Sequence, residues 1–123
     1  MAIYPYGRKV WSTDGVSLAG AGPTSYGPID IHDVTDLWLA AFVANAPTGT
    51  TPSLTVQLDL LDQDGNIYPS VLALTALTAA GHQSGSCGLH TSNLVLPMEC
   101  QVTWTLGGTT PAFTGVTLSL YGR

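Results

Sequence analysis

The stretch Gly49-Thr50-Thr51-Pro52-Ser53-Leu54-Thr55-Val56-Gln57-Leu58-Asp59-Leu60 decides the fold, because its opening tetrad returns as Gly108-Thr109-Thr110-Pro111. Each copy ends a polar loop and starts an alternating apolar run. Leu54, Val56, Leu58 and Leu60 follow the first; Phe113, Val116, Leu118 and Leu120 follow the second. A period of two puts such side chains on one face of a pleated strand. The second run carries one extra residue, Gly115, which predicts a β-bulge, since glycine tolerates the kink that lets two residues oppose one. Two similar strand-loop-strand units predict two sheets facing each other, an all-β, single-domain antiparallel β-sandwich of jelly-roll type.

Outward from the first tetrad, Leu54 to Leu61 runs into Asp62-Gln63-Asp64-Gly65-Asn66 and emerges as Ile67-Tyr68, a hairpin with Asp-Gly at its turn. Leu37 to Val43 is nearly all apolar and reads as a central strand covered on both faces. Tyr26 to Ile31 alternates around Pro28, which favours an edge strand because proline cannot donate to a ladder. Ser70 to Ala80 carries both helical and alternating spacing, and its β surroundings favour a strand. Gly81 to Ser92 reads as a polar, glycine-rich loop. With Val10-Trp11, Val16 to Leu18, Leu94 to Leu96, Cys100 to Leu106 and Val116 to Tyr121, the count reaches about eight strands. Residues 1–9 are expected as an extended N-terminal arm and residues 10–123 as the sandwich.

A chain of 123 residues is long enough to bury one core without staples. Charged residues make up only 9% of it, far below the roughly 25% of ordinary soluble domains, and Thr, Ser, Gly and Ala fill the shortfall. A neutral surface suits a subunit whose faces touch neighbours, since burying an unpaired charge is costly. Net charge is −5 and the only cations are Arg8, Lys9 and Arg123, so no basic stripe exists for nucleic acid. The first residues lack the charged-then-apolar order of a signal peptide, and the apolar runs Leu37 to Ala44 and Val71 to Ala80 are too short to cross a bilayer. A cytoplasmic origin is therefore expected, with Cys87 and Cys100 as reduced thiols.

The chemistry-bearing clusters are weak. Asp62, Asp64 and Asn66 match the first ligands of a calcium loop, but Gly65 sits one place early and Ala73 stands where a bidentate glutamate is needed, which favours a self-bonded turn. His82, Cys87, His90 and Cys100 are soft ligands without proper pairing for zinc. Asp30, His32, Asp33 and Asp36 crowd one segment, with Asp30 and His32 on one strand face, and read as a solvated loop rather than an acid-base pair. Ser84-Gly85-Ser86 is not a nucleophile elbow, and neither glycine cluster opens onto a helix that would cradle phosphate. No catalytic residue, metal or cofactor is expected. Trp11, Trp38, Trp104 and the tyrosines offer faces for stacking on sugar rings, yet Trp38 and Trp104 stand in the most apolar strands, which points to core packing.

The order of elements, an apolar strand, a Gly-Thr-Thr-Pro loop, a strand, an Asp-Gly hairpin, a glycine-rich loop and then Val102-Thr103-Trp104-Thr105-Leu106-Gly107-Gly108-Thr109-Thr110-Pro111-Ala112-Phe113 to the terminus, resembles small all-β virion proteins of tailed bacteriophages over residues 36–122. The resemblance implies a structural subunit of a virion. A capsid decoration protein, often trimeric, on the major capsid protein comes first; a tail or fibre component follows. Such families have no catalytic residues. In this reading Ile3, Tyr4, Tyr6, Arg8 and Lys9 are the expected assembly contacts, ordering on a neighbour, with an edge strand as a second docking element. A carbohydrate-binding module is the alternative, and it would show its aromatics exposed on one flat face.

Overall fold

The computed structural model describes residues 7–123. Its strands are β1 (Arg8–Ser12), β2 (Val16–Ala19), β3 (Gly22–Asp30), β4 (Asp36–Val43), β5 (Thr48–Leu61), β6 (Ile67–Ala73), β7 (Gly81–Gly88) and β8 (Glu99–Gly122), with one helical turn, α1 (Leu89–Ser92), between β7 and β8. All pairings are antiparallel. The long β8 serves both layers of the sandwich. Its first part, Glu99 to Leu106, pairs with β5 on one side and β3 on the other, and β6 extends that layer beyond β5. Its second part, Ala112 to Gly122, pairs with β4 on one side and with β1 and β2 on the other, and β7 lies beyond β4.

The repeated tetrads form the corner between these layers, and they face each other. Thr48 pairs with Ala112 and Ser53 with Gly107, a register that maps onto itself when the two tetrads are exchanged. The local conformations match as well: Gly49 and Gly108 have φ of 111° and 100°, Thr51 and Thr110 have 48° and 45°. Each threonine hydroxyl donates to the preceding carbonyl, Thr51 Oγ1 to Thr50 O and Thr110 Oγ1 to Thr109 O, both at 2.8 Å. Glycine is required at both positions. A Cβ on Gly49 would stand 2.6 Å from Thr110 O, and one on Gly108 would stand 2.5 Å from Thr51 O, so two backbones cross where no side chain fits.

From the corner the apolar alternation fills the interior. Leu54, Val56, Leu58 and Leu60 from β5 meet Leu37, Leu39, Ala41 and Val43 from β4, and β8 contributes Cys100, Val102, Leu106, Phe113, Val116, Leu118 and Leu120. Gly115, at φ 64°, lies where the β2–β8 register slips between Val116 and Phe113, the predicted bulge. The Asp-Gly hairpin joins β5 to β6, with Leu61 paired to Ile67. Among the described residues β3 pairs with β8 alone, as Pro28 implied for an edge, and its register slips across Gly27-Pro28.

Four expectations change. β4 is central, but among the described residues it is covered on one face only: Leu37, Leu39, Ala41 and Val43 point inward while Trp38 and Phe42 are exposed. Ser70 to Ala73 belongs to β6, whereas Leu74 to Ala80 crosses without regular structure, held by Leu74 N–H to Val56 O and a reciprocal Leu54–Leu77 bridge. Leu74 and Leu77 are buried there, so the apolar spacing reflects a plug rather than a strand or helix. Gly81 to Gly88 is a full strand rather than a loop, paired residue for residue with β4; the ladder makes it, and Gly85 points inward because a Cβ would stand 3.1 Å from Leu72. Leu94 to Leu96 is not a strand: the segment runs without ladder pairing into Pro97, with Leu94 and Leu96 packed against the core and Val95 exposed.

Candidate functional site

The inward parity of β4 leaves the opposite parity on the surface, and its neighbours follow the same alternation. Trp38 stands between Ser86 of β7 and Tyr121 of β8, and Tyr121 in turn lies beside Lys9 of β1. The next row holds Ser84, Ala40, Ser119 and Ser12, and the one after it His82, Phe42 and Thr117. The outcome is a broad face of aromatic rings and small hydroxyls. Trp38 is 43% exposed and Phe42 52%, and the Trp38 and Tyr121 rings lie 5.5 Å apart with their planes tilted by 54°. Core packing was expected for Trp38 from its apolar strand; its even parity, shared with Phe42, was the signal that separated it from the aliphatic residues.

At one end this face deepens into a cleft of about 470 Å³, lined by Asp36, Trp38, Ser86, Thr91, Tyr121 and Arg123 among others. Asp36 is buried and anchors α1 to β4. It accepts from His90 N–H at 2.8 Å, from His90 Nδ1 at 2.6 Å and from Thr35 Oγ1 at 3.1 Å, with Arg123 Nε 3.9 Å away. Burial alone would raise its pKa, but the His90 and Thr35 hydrogen bonds outweigh it and hold the carboxyl below its ordinary value. Gly88 permits the junction, since a Cβ there would stand 2.4 Å from Thr35 O. The Asp36–His90 pairing spans 54 residues and had no signature in the sequence.

The expected clusters are placed as follows. Asp62 closes its own turn, accepting from Asp64 N–H, Asn66 N–H, Asn66 Nδ2 and Tyr68 Oη at 2.8–3.0 Å. Those bonds pull its pKa down to about 2. His32 donates from its backbone and from Nδ1 to Asp30 Oδ1 at 3.0 and 2.7 Å, whose bonds lower the Asp30 pKa and raise that of His32. Asp33 pairs with Arg8 instead. His82, Cys87, His90 and Cys100 are not brought together: His82 lies beside Phe42, His90 binds Asp36, and Cys87 and Cys100 are buried free thiols. Burial pushes Cys87 up and Cys100 to about 12. Trp104 is half-buried against the core, in a stack with Trp11 and Tyr26. Of the expected assembly contacts, Ile3, Tyr4 and Tyr6 lie outside the described residues. Arg8 and Lys9 are already strand residues of β1, with Lys9 Nζ 3.7 Å from Asp14. Among the described residues no helix is long and apolar enough to cross a membrane.

No protein-family model matches the chain, and no curated protein matches its sequence. Solved structures resemble it in shape. The N-terminal part of Clostridium thermocellum endo-1,4-β-D-xylanase 10B, comprising CBM22-1 and GH10 modules complexed with xylohexaose, matches with a TM-score of 0.55 and 12% identity over 89% of this chain and 22% of that one. A chain of infectious bursal disease virus, Gx strain, matches with a TM-score of 0.56 and 12% identity over 98% of this chain and 37% of that one. A Bacillus endospore appendage pilus protein covers 100% of this chain at a TM-score of 0.47. The chain thus spans well under half of the first two proteins, and the likeness establishes the β-sandwich fold it shares with them.

Proposed function

We propose that the chain is a non-catalytic structural subunit of a virion, a capsid decoration protein that docks on the major capsid protein from outside as an oligomer. One observation carries the reading: β1 lies at the edge of its layer, paired only with β8 among the described residues, so residues 2–7 feed directly into an open backbone rim. Such a rim takes up a neighbour's strand through main-chain hydrogen bonds. The charge-poor surface supports it, because little charge needs to be stripped of water at a contact. Deleting residues 2–7, which stops short of the ladder, should leave the sandwich folded by circular dichroism and weaken particle binding. Immunogold microscopy of a lysate of the source supplies the location. Label on heads supports decoration, label on tails supports a tail or fibre subunit, and absence of label from every particle overturns the virion reading.

A second reading is favoured by a separate observation. Trp38, Tyr121 and Phe42 stand on one open face among small hydroxyls, the arrangement required of a carbohydrate-binding sandwich.

A further inference from the structure

We infer that the outer face of β7, β4 and the second part of β8 is a binding site for a linear, neutral polysaccharide, seated at its Asp36–Trp38–Tyr121 end. The inference rests on the carbohydrate-binding reading and is independent of where the protein resides. Ring shape is the first argument. A pyranose presents a patch of C–H groups on each face, which packs on an aromatic ring without losing hydrogen bonds from its equatorial hydroxyls. Trp38 and Tyr121, tilted by 54° at 5.5 Å, both line the 470 Å³ cleft and supply two such ring surfaces to it.

Polar supply is the second argument. Ser86 and Thr91 line the cleft with Tyr121, and no side-chain hydrogen bond among the described residues engages their three hydroxyls. A hydroxyl group both donates and accepts, which matches a sugar hydroxyl's own capacity. Behind them Asp36 is fixed by three hydrogen bonds from Thr35 and His90, leaving capacity on its two oxygens for a donor from the ligand.

Extent and charge then define the ligand. Trp38 and Phe42 are four residues apart on one strand, about 13 Å, and only Ala40 stands between them on this face. The small residue keeps the path between the rings low, so an extended chain can lie along the strand and reach both. Ser84, Ser119 and Thr117 flank that path. The three rows carry no carboxylate, and their one fixed cation, Lys9, is at the rim. At the seated end Arg123 lies 3.9 Å from the Asp36 carboxylate, which offsets its charge, and the rows along the strand offer an anionic polymer no further counter-charge, so the ligand is neutral. A second copy of this chain would be expected to bring a matching apolar patch, whereas the hydroxyl rows between the rings call for a partner rich in hydroxyls.

The test is affinity electrophoresis of the full chain through native gels containing hydroxyethylcellulose, mixed-linkage β-glucan, xylan, pullulan or heparin. Retardation by at least one neutral polymer, reduced about tenfold or more in affinity by Trp38→Ala and by Ser84→Arg, is the expected result. Ser84→Arg removes no packing, so it blocks the path even if Trp38→Ala disturbs the fold. Tyr26→Ala, in the separate stack with Trp11 and Trp104, should migrate as the unchanged protein does. Retardation that survives both face variants would place the glycan elsewhere and overturn this site while leaving the carbohydrate reading intact. Retardation by heparin alone would overturn the neutral ligand while leaving a carbohydrate reading, whereas failure of every polymer, heparin included, or self-association that Trp38→Ala abolishes in light scattering would overturn the carbohydrate reading itself.

Discussion

The two outer faces of the sandwich differ in how their polar groups are spent. On the layer of β5, β6 and β3, the face is built around Asp59, which is only 2% exposed. It accepts from Gln57 Nε2, Gln101 Nε2 and Ser70 N–H at 2.8 Å and from Thr103 Oγ1 at 2.6 Å. Because Thr103 gives its proton to Asp59, the 2.8 Å contact between Ser25 Oγ and Thr103 Oγ1 is donated by Ser25. The network closes on itself and ties β3, β8, β5 and β6 together. On the layer of β4 and β7 the hydroxyls beside Trp38 and Tyr121 are uncommitted, and the aromatic rings meet solvent. One face is satisfied internally and serves stability; the other retains its bonding capacity and is the one proposed for recognition. Both alternations come from the same period of two, so the difference is one of side-chain inventory rather than backbone.

The corner is shared by both faces, and breaking it should have the largest effect. Gly108→Ala sets a Cβ 2.5 Å from Thr51 O at φ 100°, against backbone that has no side chain to swing aside. A loss of about 4 kcal/mol in urea unfolding is expected, since strain and steric overlap act together. Gly49→Ala should cost about as much by the local two-fold relation. The double variant should cost less than the sum, because a single opening of the crossing relieves both overlaps. Additive losses would show that the two tetrads do not act as one joint.

Asp59→Ala comes next and separates the faces. It leaves four donors without their acceptor under the bulge of β6, for an expected cost of about 3 kcal/mol, with no change in polysaccharide retardation. Trp38→Ala should do the reverse: stability within about 1 kcal/mol of the parent, because the ring is already 43% exposed, and binding lost. A Trp38→Ala variant as unstable as Asp59→Ala would mean that the aromatic face is structural after all.

Much of this architecture was legible in the residues. The tetrad repeat marks both corner strands, Gly115 marks the bulge, and Asp62 to Asn66 marks the hairpin whose side chains bond their own backbone, because in each case the signal is local. What escaped was decided between distant segments. Gly81 to Gly88 has no strand propensity of its own and becomes a strand by pairing with β4. Leu37 to Val43 is apolar on both parities, which points Trp38 to the core, and one parity is exposed because no layer covers it among the described residues. Asp36 found its partner in His90, and Asp59 three of its four donors in two other strands, β8 and β6, contacts for which sequence spacing holds no record.

The smallest effect sharpens the same comparison through pH. Burial raises the Asp59 pKa, but the bonds from Thr103, Gln101, Ser70 and Gln57 outweigh it and lower it overall; in the adjoining hairpin, bonds from Asn66 first lower Asp62 from 3.8 to about 2. A depressed folded-state pKa stabilises above the unfolded value and loses that contribution as pH falls through the folded one. Asp59 and Asp62 thus place part of the acid limb on the closed face and its hairpin, and Asp36, held below its ordinary value by His90 and Thr35, adds a part at the cleft of the open face. Asp62→Asn should melt below the parent at neutral pH, and the two curves should converge between pH 3.8 and about 2. The offset of Trp38→Ala, which removes no titrating group, should stay constant over that window. A Trp38→Ala offset that shrank with acid would couple the exposed ring to a titrating carboxylate, Asp36 in the same cleft first, and end the separation of the aromatic face from acid stability.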